Sequence, residues 1–298
     1  MKISKQTLRV LLLTLTFTTL LCGCGERTRQ YSGSASCKEC HEKFYKLWAP
    51  SHHGKALQPW SEELAAALPA NTEPIEVEGK LYQAFITPER GWVAENETNE
   101  YEILYTLGGK NYYNLLALLP DGRLQVLPIF FDVRNGTWEN TTLSMLRHFE
   151  DGRTDAPLSW KDHMLTFNAE CFRCHVSQAE SNYDPETDTY ATTWNEPGIS
   201  CESCHGPCSE HIRVCKAAPT NKPPEDLKLL SWKTMTVQER NDNCAGCHTK
   251  GGAITKRSET NDRYWELYDL TTFENIDYYP DGRDFGENYT MGSWLLSP

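Results

Sequence analysis

Eight of the twelve cysteines and four of the nine histidines in this 298-residue chain fall into one repeated pattern. Cys37-Lys38-Glu39-Cys40-His41, Cys171-Phe172-Arg173-Cys174-His175, Cys201-Glu202-Ser203-Cys204-His205 and Cys244-Ala245-Gly246-Cys247-His248 each set two thiols three positions apart, with an imidazole directly after the second. The two sulfurs can add to the two vinyl groups of one porphyrin while the imidazole lies under the iron as an axial ligand. Zinc is the competing chemistry, because CxxC is half of a zinc site and four pairs would make two ribbons. Zinc does not need a histidine after every pair, and four such placements by chance have odds on the order of one in a million. The motifs therefore predict four covalently bound haem c groups, with His41, His175, His205 and His248 as proximal ligands.

A second axial ligand on each iron would take four of the five remaining histidines, which are His52, His53, His148, His163 and His211. That arithmetic permits bis-histidine ligation without requiring it, since Met164, Met235, Met291 or no protein group are alternatives. His211 is the first choice for a distal ligand. It lies six residues after His205, too close to reach the far face of its own haem easily, so a neighbouring iron is its target. In Ser51-His52-His53 one histidine is a distal ligand, with His53 preferred and the other at the surface or in support. His148 and His163 complete the metal-binding set, each also readable as an ordinary partly exposed histidine. Cys208 and Cys215 stand outside the motifs, either as a local disulfide or as free buried thiols.

Short elements are expected to carry these residues. Apolar positions at helical spacing after His41, ending before Pro50, predict a short helix under the first motif, and Ser61 with Glu62 and Glu63 caps another that Pro69 ends. Strands are predicted over residues 81–87, 101–107, 112–119 and 124–131, the last two joined by the turn at Pro120-Asp121-Gly122. The expected fold is α+β with much irregular structure, packed around haems, with short helices and an inserted antiparallel β subdomain. Its parts are a first haem segment (37–73), a haem-free β subdomain (74–146) that could still wall a haem, a three-haem segment (147–255) and a C-terminal segment (256–298). The short gaps between the later motifs favour haems that are neighbours in space.

Met1-Lys2 through Arg9, followed by the apolar run Val10 to Leu21, reads as a secretion signal over 1–23, too short to span a bilayer as a stable helix. Leu21-Cys22-Gly23-Cys24 is similar to a bacterial lipobox, with Cys24 as the lipid anchor and 24–36 as a tether, and ordinary cleavage without lipid as the alternative. Either route leads outside the cytoplasm. Hydrophobic residues make up 39% of the chain. Counted with glycine in place of tyrosine this is about 41%, below the usual value of about 45–50%, and porphyrin faces would supply the missing apolar core. A formal net charge of −12 excludes nucleic acid as a natural partner and favours a redox protein with a basic docking face.

Gly33-Ser34-Ala35-Ser36-Cys37 through His41, then Trp48, Ser51, His53 and Ala56, resembles the opening of the cytochrome c-554-like multihaem cytochromes, many of which carry tetratricopeptide repeats downstream. Tyr105 to Gly109, Asp121 to Gln125, Phe167-Asn168 and Ile199 through His211 extend the resemblance over nearly the whole mature chain. It implies a periplasmic or cell-surface electron carrier with mostly bis-histidine haems, its proximal ligands at His41, His175, His205 and His248 and its distal ones at His53 and His211. Cys208 departs from the family, which usually has glycine there. Relatives continue past residues 289–298 into a further CxxCH motif, so a shortened chain is also expected. Three functions follow: electron transfer first; an oxidoreductase acting on a small nitrogen oxyspecies such as nitrite or hydroxylamine at one haem with an open distal face; and a lipoprotein scaffold that haems merely stabilise.

Overall fold

The computed structural model describes residues 29–69, 73–96, 98–144, 146, 152, 154–254, 263–275 and 278–283. The signal segment, Cys24, His148 and Met291 lie outside them. Among the described residues no helix is long and apolar enough to cross a membrane.

The first helix, α1 (Ser34–Trp48), carries the first motif and bends at His41, whose backbone leaves helical geometry (φ −122°, ψ 38°). The predicted short helix is thus the second half of a longer kinked one. Strand β1 (Leu57–Pro59) follows, then α2 (Glu62–Ala66), with Ser61 capping it by accepting from the Leu64 amide, as its sequence predicts.

Two antiparallel sheets come next. β2 (Ile75–Val77), β3 (Lys80–Ile86), β4 (Gly91–Glu95) and β5 (Asn99–Glu102) form one in sequence order. The other, in the order β1-β6-β7-β8-β9, adds β6 (Tyr105–Gly108), β7 (Tyr112–Leu118), β8 (Leu124–Asp132) and β9 (Thr137–Asn140). The predicted strand over 101–107 is therefore two strands in different sheets, because the chain crosses between layers at Ile103 and Leu104. Ile103 still bonds back to Gly91 of the first sheet, while Leu104 bonds to Leu116 of the second.

The predicted hairpin is β7 and β8, paired from Leu118 with Leu124 to Tyr112 with Asp132. Its register shifts between Asn114 and Leu116, opposite Pro128, which has no amide proton for the ladder, so the irregularity falls where proline can be tolerated. All nine residues of β8 are buried, and a strand covered on both faces explains why Leu124 to Phe131 is nearly continuously apolar instead of alternating. Leu115, Leu116, Leu127 and Ile129 lie at the centre of the core with Val93, Tyr82, Trp160 and Phe167.

This β layer is tied to the second motif. Buried Gln125 donates to the Trp160 carbonyl (2.7 Å) and accepts from Thr166 (2.9 Å), and Asn168 accepts from the Leu124 amide. A single π turn (Phe167–Cys171) then leads into the helix of the second motif. Counting the short α3 (Thr141–Ser144) that follows β9, the second motif's helix is α4 (Phe172–His175). Small two-stranded pairs follow, β10 (Val176–Ser177) with β13 (Glu196–Pro197) and β11 (Tyr183–Asp184) with β12 (Thr189–Tyr190). The third motif occupies α5 (Cys201–His205), capped by Ser200, and runs on into α6 (Ser209–Ala217). The fourth ends α7 (Val237–His248), which opens on a capping box between Thr236 and Glu239.

Candidate haem-binding site

The four motifs lie in a row whose order differs from that of the sequence. First and third are joined at their helix starts: the Cys201 amide donates to Ser34 Oγ (3.1 Å), and Glu196 accepts from the Ser34 amide and hydroxyl at 2.9 and 3.0 Å. The Cys37 thiol is hydrogen-bonded to those of Cys201 and Cys208. Sharing that proton, together with an opposing cost of burial, leaves Cys201 lowered to about 6 while Cys37 is pushed up. In thioether form these sulfurs would not titrate, so what matters here is their proximity. Third and fourth motifs meet where Asn243 donates to the Cys204 carbonyl at 3.0 Å. Fourth and second meet at Cys174 and Cys247, each thiol pointing to the other motif's backbone at 4.0 and 3.8 Å.

Glu202, inside the third motif, is 1% exposed. Its carboxylate accepts from the amides of Ser32 (3.0 Å), Gly33 (2.8 Å) and Cys208 (2.8 Å), stapling the chain before the first motif to the chain after the third. Such charge-assisted bonds offset the cost of burying a carboxylate. Gly198, at φ +75°, passes so close to residues 53 and 54 that a Cβ would meet their carbonyl oxygens at 3.0 and 2.9 Å. The same crossing pairs the Ile199 amide with the His53 carbonyl and the Gly198 amide with the His175 carbonyl.

The imidazoles are held by backbone. His175 Nδ1 faces the Ala56 carbonyl, His205 Nδ1 that of Leu230 and His211 Nδ1 that of Leu227, each at 2.8 Å. A carbonyl accepts only, so each Nδ1 carries the proton and Nε2 keeps the lone pair, the tautomer a metal needs. Burial lowers the pKa of His175, against the opposing bond to Ala56, and burial with the nearby His248 and His52 lowers that of His53. Both therefore favour the neutral form.

Two histidine pairs face one another. His41 and His211 have ring centroids 6.2 Å apart with planes 18° from parallel, and His53 and His248 are 6.0 Å apart at 64°. With metal–imidazole bonds of about 2 Å and about 1.1 Å from ring nitrogen to centroid, two rings on one metal have centroids about 6.2 Å apart. Ordinary side-chain stacking does not need that gap. Among the described residues no histidine ring faces His175 or His205 in this way. His163 is exposed, its Nε2 3.2 Å from the Tyr190 hydroxyl; His52 is exposed, as is His53. Cys208 is buried against Cys37, whereas Cys215 Sγ lies 3.6 Å from His211 Nδ1, so the two are free thiols with different neighbours.

A cavity of about 450 Å³ lies between the first and third motifs, lined by Cys201, Cys204 and His205 with Phe44, Trp48 and Trp232 among its walls. Phe44 and Leu47 are 69% and 66% exposed, large apolar surface that a flat apolar ligand would cover. Thiol pairs beside an apolar cavity, correctly protonated imidazoles and metal-spaced ring pairs together fit haem. Among the described residues no three His, Cys, Asp or Glu side chains are gathered to hold a bare metal ion. Sequence reasoning reached the side chains here and missed the carbonyls of Ala56, Leu227 and Leu230, which have no residue-type signature.

The family model described as cytochrome c554 and c-prime matches residues 36–85 and 138–206, taking in three of the four motifs. The resemblance read from the sequence agrees with this match: over these segments the chain is similar to the cytochrome c554 family. A crystal structure described as outer cell wall cytochrome OcwA superposes with a TM-score of 0.53 at 18% identity, over 85% of this chain and 48% of that one. An undecahaem cytochrome from the S-layer of Carboxydothermus ferrireducens is similar over 81% of this chain and 29% of its own, at 17% identity and a TM-score of 0.40. The chain spans about half the length of OcwA, with which it shares a mixed fold of short helices and antiparallel sheets. No curated protein matches it.

Proposed function

We propose that this chain is an extracytoplasmic tetrahaem cytochrome that passes electrons along a row of haems attached at the first, third, fourth and second motifs. The observation that carries the reading is the pair of facing imidazoles, His41 with His211 and His53 with His248, set at the spacing of two ligands on one iron. Each haem would supply a one-electron ferric/ferrous couple. The chain's residues would do the rest: the eight motif cysteines would hold the porphyrins, the neutral imidazoles would ligate the irons, and the Glu196 and Glu202 staples keep neighbouring motifs in contact. A filled axial position excludes substrate and favours electron transfer over chemistry at iron. Four haems, lipid attachment at Cys24, the domain divisions and a basic-faced redox partner belong to the same proposal. The neighbours' descriptions as cell-wall and S-layer cytochromes support the location.

Low-temperature electron paramagnetic resonance of the oxidised protein, with haem counted per chain, tests it. Four haems and predominantly low-spin signals are expected, and extractable haem or bound zinc would overturn it. His175 and His205 keep a second reading in play, an oxidoreductase for a nitrite- or hydroxylamine-type substrate, because no described histidine faces either ring. A full high-spin equivalent that changes when nitrite or hydroxylamine is added would favour that reading. His148, His163 and the three methionines named above are the chain's other candidates for those positions.

A further inference from the structure

One short stretch of backbone holds two imidazoles, that of His205 in the third motif and that of His211, which faces His41 of the first. After α6 the chain returns through residues 219–230. There the Leu227 carbonyl receives His211 Nδ1 and the Leu230 carbonyl receives His205 Nδ1, both at 2.8 Å, while the Leu230 amide donates back to the His205 carbonyl at 3.1 Å. The acceptor for the ring facing His41 and the acceptor for the third motif's proximal ring are thus only three positions apart.

The stretch is shaped to hold this geometry. Asp226 accepts from the Lys228 amide (2.8 Å) and pairs with its ammonium (2.6 Å), and Lys228 lies in the left-handed region at φ 54°. A non-glycine residue stays there only when its surroundings hold it. At the other end, Gly206 at φ +73° packs towards the Leu230 side chain, where the chain leaves the third motif.

We propose that residues 226–230 are a strap that sets the donor strength of the axial imidazoles at the first and third haems together, so that the two potentials move as a pair. Asp226 and Lys228 are its positioning residues. A hydrogen bond from Nδ1 to a carbonyl makes the imidazole a stronger donor and favours ferric iron, and loosening the strap weakens both bonds at once. The proposal rests on His41 and His211 sharing the first iron and on His205 holding the third.

Redox titration of the haem-loaded protein, followed by electron paramagnetic resonance, compares Asp226→Ala, Lys228→Pro and Asp226→Asn with the unaltered chain. In His211→Ala, the signal that is lost identifies the first haem. Proline cannot adopt the Lys228 conformation and has no amide proton, whereas asparagine at 226 keeps the acceptor for that amide. In the alanine and proline variants two of the four couples are expected to rise together, by up to about tenfold in the ferrous/ferric ratio at fixed potential, or about 59 mV for one electron. Their low-spin g values should shift, and Asp226→Asn should stay close to the unaltered protein. If no couple moves, only one moves, or all four move alike, the strap is overturned. Should Lys228→Pro fail to load haem, Asp226→Ala carries the same comparison. An unaltered protein lacking low-spin signals would instead overturn the ligand assignment, which distinguishes the two failures.

Discussion

Under the proposed ligation, single residues would decide whether each iron has one protein ligand or two. With His211 and His53 each opposite a motif histidine, His211→Ala and His53→Ala should each convert one low-spin haem to high spin while all the haems stay covalently bound. Haem counting and electron paramagnetic resonance on the same sample check both halves of that statement. Glu202 is a different kind of residue, a buried carboxylate whose partners are the amides of Ser32, Gly33 and Cys208. Its replacement by alanine leaves those amides without their acceptor. A loss on the order of 3 kcal/mol is expected, measured by denaturant unfolding, and it should come with a looser contact between first and third motifs. CxxCH announces its four imidazoles in the sequence. Glu202 does not announce its role, because nothing in Cys-Glu-Ser-Cys-His marks a side chain that turns inward to bind a distant segment.

Among the elements, the β layer is the scaffold against which the second motif is set. Its most informative polar residue is Glu95, 4% exposed on β4. Burial alone would raise its pKa, but hydrogen bonds from Lys80, Tyr82, Tyr101 and Asn99 outweigh that and hold it down to about 2, from an ordinary 4.5. Because the folded value is depressed, the stabilisation is fully present above about pH 4.5 and is lost as the pH falls towards 2. Glu95→Gln should therefore flatten the acid limb of an unfolding profile between those values and leave the chain less stable at neutral pH. The hairpin of β7 and β8 was legible because its turn and apolar runs are local. The split between β5 and β6 was not, because Tyr101 to Leu107 is aromatic or branched at every position but Glu102 while the two halves bond to partners from different sheets, Gly91 and Leu116. The long α1 was only half visible because its first half, Ser34 to Cys40, is polar and takes its order from Glu196 and Glu202.

For the whole molecule, the order of the motifs is the consequence that matters. The fourth motif stands between the third, through Asn243 and Cys204, and the second, through Cys247 and Cys174. Removing its haem with Cys244→Ala and Cys247→Ala should leave three haems and cut the row in two. Stopped-flow reduction by a donor that enters at one end should then become biphasic, with the far haem delayed, where the unaltered chain is reduced in one phase. A chain of formal charge −12 should also accept electrons from a basic donor at a rate that falls as salt is raised.

The amino-acid sequence by itself determined the cofactor chemistry, since covalent attachment needs residues at a spacing that any fold must respect, and it determined the local turn, caps and hairpin. Which histidine stands opposite which, and the order of the motifs in space, were decided only by the tertiary structure. His211 meets His41 and His53 meets His248 across 170 and 195 positions, with the Leu227 carbonyl holding His211 Nδ1 and the Ile199 amide holding the His53 carbonyl. Every residue except proline carries both backbone groups, so residue type does not reveal which of them will hold an imidazole, and only the path of the chain does.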